Sequence, residues 1–108
     1  MERTEMNKDG KIPELVREEI RKLDEESEVI LFGSRARKDH RRDSDWDFLI
    51  LLNKEITRDL KNLIRDNLYE LELDLDQVIS STIYGKEDWE NLKVTLLYQI
   101  IQEEGIEI

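Results

Sequence analysis

Cysteine is absent from this sequence of 108 residues, and no apolar run is long enough to cross a membrane. The first absence excludes disulfide bonds and thiolate zinc sites, and it favours a reducing compartment. The second follows because a membrane helix needs roughly 18 consecutive apolar residues. The polar first residues also lack the apolar core of a secretory signal. We therefore expect a cytoplasmic protein with no membrane association.

Positive charge is scarce, since 17 Lys and Arg residues face 27 Asp and Glu residues and the formal net charge is −10. The phosphate backbone of nucleic acids repels such an acidic chain, so we expect no non-specific nucleic-acid binding. The length suits one hydrophobic core, and we predict a single domain over residues 1–108. Within that domain, the polar residues 1–11 are expected to be flexible.

The apolar residues recur with the spacings of helices and strands. Helical spacing predicts helices over about 12–24, 57–70 and 89–104, and Ser34 as a capping residue predicts a short helix over 35–38. Continuous or alternating apolar runs predict strands over about 29–32, 45–52, 73–84 and 106–108. This order predicts a small α/β (α+β) fold, with a mixed sheet of three main strands and helices packed mainly on one face.

Two short motifs stand where the first two strands meet their connecting loop. Gly33 and Ser34 end the first strand, and Asp45 and Asp47 open the second. Side chains alternate along a strand, so the two acids point to the same side, while Trp46 between them points to the core. Neighbouring carboxylates repel each other unless a cation lies between them, and Mg²⁺ is held by one or two carboxylates with substrate phosphates. A glycine allows close approach of a ligand, and the serine adds donors for phosphate.

The loop between these motifs is basic. Residues 35–42 contain five Lys or Arg residues, His40 and a single acid. In an acidic chain, such a cationic segment beside paired carboxylates fits a polyphosphate and its metal ion. The alternative interpretation is a solvated surface loop. We expect His40 to be a solvated residue of this loop rather than a catalytic base.

The combined pattern resembles the nucleotidyltransferase superfamily of the DNA polymerase β type. The matching residues are Gly33-Ser34 and Ser44-Asp45-x-Asp47 with the apolar residues that follow. The closest resemblance is to the minimal nucleotidyltransferases that are encoded beside HEPN-domain partners. The wording of residues 31–37 and the ending Glu104-Gly105-Ile106 are also similar to that branch.

The resemblance implies transfer of a nucleoside monophosphate, AMP from ATP, to an acceptor hydroxyl with release of pyrophosphate. It implies two Mg²⁺ ions, with Asp45 and Asp47 as catalytic metal ligands. The nucleotide-binding residues implied by motif position are Gly33 and Ser34 on the β- and γ-phosphates, with Ser44 in the same motif. Arg35 or Arg37 is expected to neutralise phosphate charge.

Two positions depart from the family pattern. The family usually has glycine where this chain has Lys38, so the loop is expected to be stiffer or to follow another path. The family also has a third carboxylate on the next strand, near Val78 in this chain. Asp76 is the expected catalytic and metal-binding acid on that strand, with Asp74, or neither acid, as the alternatives.

The resemblance suggests a protein tyrosine as acceptor, on a HEPN toxin partner that this chain would neutralise as an antitoxin. With 108 residues there is little room for a separate acceptor domain, so we expect the acceptor site to include another chain. One alternative is a weak or inactive nucleotide-binding antitoxin that acts by occlusion. Another is a nucleotidyltransferase for small molecules such as aminoglycosides.

Overall fold

The computed structural model describes residues 8–108, with side chains from residue 11 onward. The elements are α1 (Lys8–Leu23), β1 (Glu28–Phe32), α2 (Ser34–Arg37), β2 (Trp46–Leu52), α3 (Arg58–Leu75), β3 (Ile79–Gly85), α4 (Lys86–Glu90), α5 (Leu96–Glu104) and β4 (Ile106–Glu107). Residues 1–7 of the segment predicted to be flexible lie outside the described residues. Residues 8–11 belong to α1, which begins four residues earlier than its apolar spacing predicts. No helix in the described part of the chain is long and apolar enough to span a membrane.

The strands form one mixed sheet in the order β3-β2-β1-β4. The two central strands, β1 and β2, are antiparallel, and β3 runs parallel to β2. The short β4 pairs with β1 at the other edge, as the alternation of its residues predicts. The predicted α/β architecture with three main strands is confirmed.

Alternate residues of β2 supply two apolar clusters, one on each face of the sheet. Phe48, Ile50 and Leu52 pack with the long helices α1 and α3. Leu49 and Leu51 pack on the opposite face with side chains from α4 and α5. Asp47 precedes Leu49 by two residues, so its side chain belongs to the α4 and α5 face. Trp46 lies on the α1 and α3 face, where it is buried as predicted.

Helix α3 is longer than predicted, and strand β3 is correspondingly shorter. The leucines at 71, 73 and 75 alternate with acids, but Leu71 and Leu75 are also spaced by one helical turn. Both pack against the core as helical residues, whereas Leu73 is 65% exposed. The helix ends where Asp76 adopts the left-handed conformation, with φ 54°. The predicted strand over 73–84 is therefore wrong at its start, since β3 begins at Ile79.

The last predicted helix is two helices. A turn after α4 separates it from α5, and Thr95 caps the second helix by accepting a hydrogen bond from the backbone of Tyr98. The Thr95 hydroxyl also donates to the carbonyl of Leu92 at 2.7 Å. The apolar period continues through this segment, so only the capping residue marks the break.

Candidate active site

The end of β1 and the start of β2 are brought together by antiparallel pairing, which sets Phe32 opposite Asp47. The next residue, Gly33, has φ 80° and ψ −161°, a backbone conformation that is essentially restricted to glycine. A Cβ at this position would overlap the Oδ2 atom of Asp47. The glycine therefore allows the carboxylate of Asp47 to lie directly against the turn.

The two acids differ in exposure because Asp45 precedes β2 and Asp47 is its second residue. Asp45 is exposed, whereas Asp47 is partly buried. Burial raises the pKa of the Asp47 carboxyl above its ordinary value, and the negative charge of Asp45 raises it further. The nearby guanidinium of Arg37 acts in the opposite direction. A further cation bound beside Asp47 would stabilise the charged form of this carboxylate.

Arg35 is 5% exposed, and its guanidinium is directed inward. It donates to the backbone carbonyls of Arg42 and Ser44 at 2.9 to 3.3 Å. Its terminal carbon also lies 4.4 Å from the ring centre of Trp46. Because these groups flank Asp45, Arg35 fixes the loop that leads into β2. This placement favours a structural role over the predicted contact with phosphate.

Arg37 is the cation that faces the acids. Its Nε donates to Asp39 at 3.0 Å, and its Nη1 donates to both carboxylate oxygens of Glu104 at 3.2 Å. The side chain remains 47% exposed. Of the two arginines predicted to neutralise phosphate, this is the one within reach of a ligand at the acids.

The serines of the motif have different surroundings. Ser34 is the first residue of α2 and follows Gly33 directly. The hydroxyl of Ser44 accepts a hydrogen bond from the backbone N–H of Arg41 at 2.8 Å, so it closes the basic loop. His40 is exposed within that loop, as expected for a solvated residue.

Lys38 has φ 66° and ψ 24°, the left-handed conformation that a glycine adopts most easily. The backbone thus keeps the glycine-type path even though the residue is lysine. The cost of this conformation for an L-residue is only about 1–2 kcal/mol, so a lysine can occupy it; the expected stiffer or altered loop stays a prediction.

The predicted third acid is not on the third strand. Asp74 lies in α3 and Asp76 caps the end of that helix, three residues before β3 begins. The residue of β3 that pairs with Asp47 is Ser80. Within residues 8–108, no group of three His, Cys, Asp or Glu side chains is arranged to hold a metal ion. The expectation that Asp76 shares a strand face with the site is wrong because the helix continues through residue 75.

Glu104 is a charged neighbour of the site that the sequence analysis did not assign. Its Oε2 accepts a hydrogen bond from the backbone N–H of Gly33 at 2.7 Å. The two residues are 71 positions apart, so no local pattern connects them. Two signals were available: Glu104 belongs to the ending that resembles the family branch, and the pairing of the predicted edge strand beside β1 brings it to this end of the sheet.

A separate cleft of about 360 Å³ lies at the opposite end of β2 and β3, away from the acids. The ends of the two strands line it together with the loop after β2 and the start of α4, over 52–56 and 85–88. The residues at the acidic end of the sheet do not line this cleft.

The model of the family described as nucleotidyltransferase domain matches residues 14–108. One similar solved structure is a toxin–antitoxin complex with AMP-PNP, at 23% identity and TM-score 0.57, covering 91% of this chain and 69% of that chain. A second is a tyrosine-to-alanine mutant of the MntA–HpeT toxin–antitoxin, at 22% identity and TM-score 0.55, covering 93% of this chain and 70% of that chain. A third is an aspartate-to-glutamate double mutant of MntA–HpeT, at 21% identity and TM-score 0.54, covering 91% of this chain and 69% of that chain. At these identities the structures share the fold. No curated protein matches the chain. Because the family model covers nearly all of the sequence, the chain belongs to the nucleotidyltransferase domain family.

Proposed function

We propose that the chain transfers AMP from ATP to an acceptor hydroxyl in a Mg²⁺-dependent reaction at the Gly33 turn. The observation that carries the proposal is the contact of this turn with Asp47, which the absence of a side chain at Gly33 allows. The turn and the carboxylate form one surface, where a triphosphate and its metal ion could bind together. Family membership supports the reaction class.

The residues at this surface fit a magnesium ion. Asp45 and Asp47 offer carboxylate oxygens, the hard ligands that Mg²⁺ prefers, and no softer ligand is among them. Burial and the charge of Asp45 raise the pKa of Asp47, and a bound cation would favour its charged form again. These two residues would hold the metal, which supplies neutralisation of the phosphate charge when bound.

The protein's contribution to the reaction is positioning. In the proposed complex, the Gly33–Ser34 backbone and the Ser34 hydroxyl hold the β- and γ-phosphates, and Arg37 contacts a phosphate oxygen. The acceptor hydroxyl releases its proton to solvent as its oxygen forms a bond to the α-phosphorus. The bond from that phosphorus to the bridging oxygen breaks, and pyrophosphate leaves with that electron pair. Arg35 acts indirectly, since it fixes the loop that carries Asp45.

We further propose that the acceptor is a tyrosine of a HEPN-type toxin, and that the chain acts in the cytoplasm as its antitoxin. The similar structures come from toxin–antitoxin complexes, and one of them was solved with AMP-PNP. Asp45 is exposed and Asp47 is partly exposed, so a protein acceptor could approach them. An acceptor site completed by a second protein is consistent with that geometry.

The test is to incubate the chain with the toxin encoded beside its gene, ATP and Mg²⁺. We expect pyrophosphate release and the addition of one AMP to a toxin tyrosine, detected by mass spectrometry. Asp47→Asn should abolish both signals. Asp43→Asn is the matched control, since Asp43 is exposed in the basic loop and should leave both signals intact. Release of pyrophosphate without labelled toxin would contradict the proposed acceptor but not the reaction.

A second candidate is an antitoxin that binds nucleotide but acts by occlusion. The observation in its favour is that Ser80, and not an acid, pairs with Asp47 on the third strand. If this candidate is correct, neutralisation of the toxin should survive the double substitution Asp45→Asn and Asp47→Asn. Loss of neutralisation by the folded double variant would refute it.

A further inference from the structure

The carboxylate of Glu104 joins the last turn of α5 to the proposed phosphate-binding turn. It accepts a hydrogen bond from the Gly33 N–H at 2.7 Å and pairs with Arg37 at 3.2 Å. Only 17% of the side chain is exposed. Short hydrogen bonds to a charged and partly buried acceptor are about twice as strong as neutral ones. The contact therefore connects two proposed nucleotide-binding residues to one acid.

Sheet pairing explains why this acid reaches the turn. Leu31 of β1 pairs with Ile106 of β4 in an antiparallel register. Continuing the register by two residues would set Gly33 opposite Glu104, but Glu104 is still helical. The side-chain oxygen takes the N–H that a strand carbonyl would otherwise accept. The peptide of Gly33 is thereby held at a point where the regular ladder has ended.

The same acid orients Arg37. Asp39 binds Nε of its guanidinium and Glu104 binds Nη1, so two acids hold the group from different sides. In the described contacts, Nη2 is left to reach a phosphate oxygen. An exposed arginine without these partners would sample many rotamers, and ordering it would cost up to about 2 kcal/mol when a ligand binds.

We propose that Glu104 is a positioning residue for the nucleotide, because it holds the Gly33 peptide and presents the Arg37 guanidinium to the phosphates. The inference rests on the proposed function, since it assumes a nucleotide at this turn. It assigns to α5 a role in the site that neither β2 nor β3 supplies.

The test compares Glu104→Gln with Glu103→Gln, which removes an exposed neighbouring charge. The ligand is magnesium α,β-methylene-ATP, whose α–β bridge cannot be cleaved by AMP transfer, and its Kd is measured by titration calorimetry. The glutamine keeps an oxygen for the Gly33 N–H, so we expect Tm to change little. Loss of the charged pair with Arg37 should raise Kd about tenfold, the factor that corresponds to about 1.4 kcal/mol. The Glu103 variant should bind like the wild type.

A double-mutant cycle separates positioning from a structural effect. Arg37→Gln should weaken binding by itself, and adding Glu104→Gln should then change Kd less than twofold, because the group it orients is gone. If the two substitutions raised Kd by independent factors that multiply in the double variant, the proposal would be overturned. Unchanged or tighter binding by Glu104→Gln would overturn it as well. Tighter binding would mean that the acid competes with phosphate.

Two further results keep the inference separate from the function on which it rests. If the wild type does not bind the nucleotide, both the proposed function and this inference fail. If the wild type binds and Glu104→Gln binds equally well, only the positioning role fails. Should Glu104→Gln unfold, Glu104→Asp keeps the charge on a side chain one methylene shorter. Glu104→Asp should also raise Kd. If it binds the nucleotide as tightly as the wild type, the carboxylate does not need to be placed at this point, and the positioning role is refuted.

Discussion

Replacement of Gly33 by alanine should damage both the fold and the site. The backbone there has φ 80° and ψ −161°, and a residue with a side chain held in this region costs about 1–3 kcal/mol. The new methyl group would also overlap Oδ2 of Asp47, so either the carboxylate or the turn must move. We expect a loss of about 2–4 kcal/mol in the free energy of unfolding.

The assay is thermal unfolding followed by circular dichroism, together with calorimetric titration of magnesium α,β-methylene-ATP. For a domain of this size, each kcal/mol corresponds to about 4–8 °C, so Tm should fall by roughly 8 °C or more. Nucleotide binding should be lost at temperatures where the variant is still folded, because the Asp47 carboxylate is displaced.

Gly85→Ala is the matched control. Gly85 has φ −74°, and the nearest atom to an added Cβ lies at 3.7 Å, so alanine fits without strain. Its Tm should stay unchanged or rise slightly, because alanine lowers the entropy of the unfolded chain. Equal Tm values for the two alanine variants, or wild-type nucleotide binding by Gly33→Ala, would refute the proposed close contact between the turn and Asp47.

Three further predictions concern neighbouring residues. Asp47→Asn should raise Tm at pH 7, because the raised pKa means that the folded state disfavours the charged carboxylate. The wild type regains that stability as pH falls from the raised folded-state pKa towards the ordinary carboxyl pKa of about 4, so the gain should be lost by about pH 4, and a constant gain in unfolding scans from pH 3 to 8 would contradict it. Lys38→Gly should raise the free energy of unfolding in urea by about 0.5 kcal/mol, because the backbone strain that it relieves exceeds the entropy that it adds to the unfolded chain. A lower free energy of unfolding would contradict the left-handed conformation. Arg35→Lys should cost about 2–3 kcal/mol in the same assay, because lysine cannot serve two carbonyls and the Trp46 ring together, and a neutral result would contradict its structural role.

The site motif could be predicted from sequence because its chemistry is local. Gly33 ends one apolar run and Asp47 opens the next, and antiparallel pairing brings these ends together. The role of Arg35 could not be predicted, since a basic loop gives no sign of which arginine turns inward. Glu104 was missed because its contact with Gly33 depends on the pairing of β4 across the whole chain.

The boundary between α3 and β3 failed for a different physical reason. Leucines at 71, 73 and 75 satisfy the period of a strand, while 71 and 75 also satisfy that of a helix. The segment is helical because Leu71 and Leu75 pack against the core from one face of α3. The spacing of the leucines alone does not predict this packing. The misplacement of Asp76 followed directly from that ambiguity.

The bond between Glu104 and Gly33 also has a consequence for the order of folding during synthesis. The ribosome adds Glu104 71 residues after Gly33. A nascent chain therefore contains β1 and β2 before the residue that accepts the Gly33 hydrogen bond has been synthesised. Long-range closures of this kind form slowly, because the entropy of the intervening loop must be lost first. The turn should therefore be among the last parts of the molecule to become protected from amide exchange.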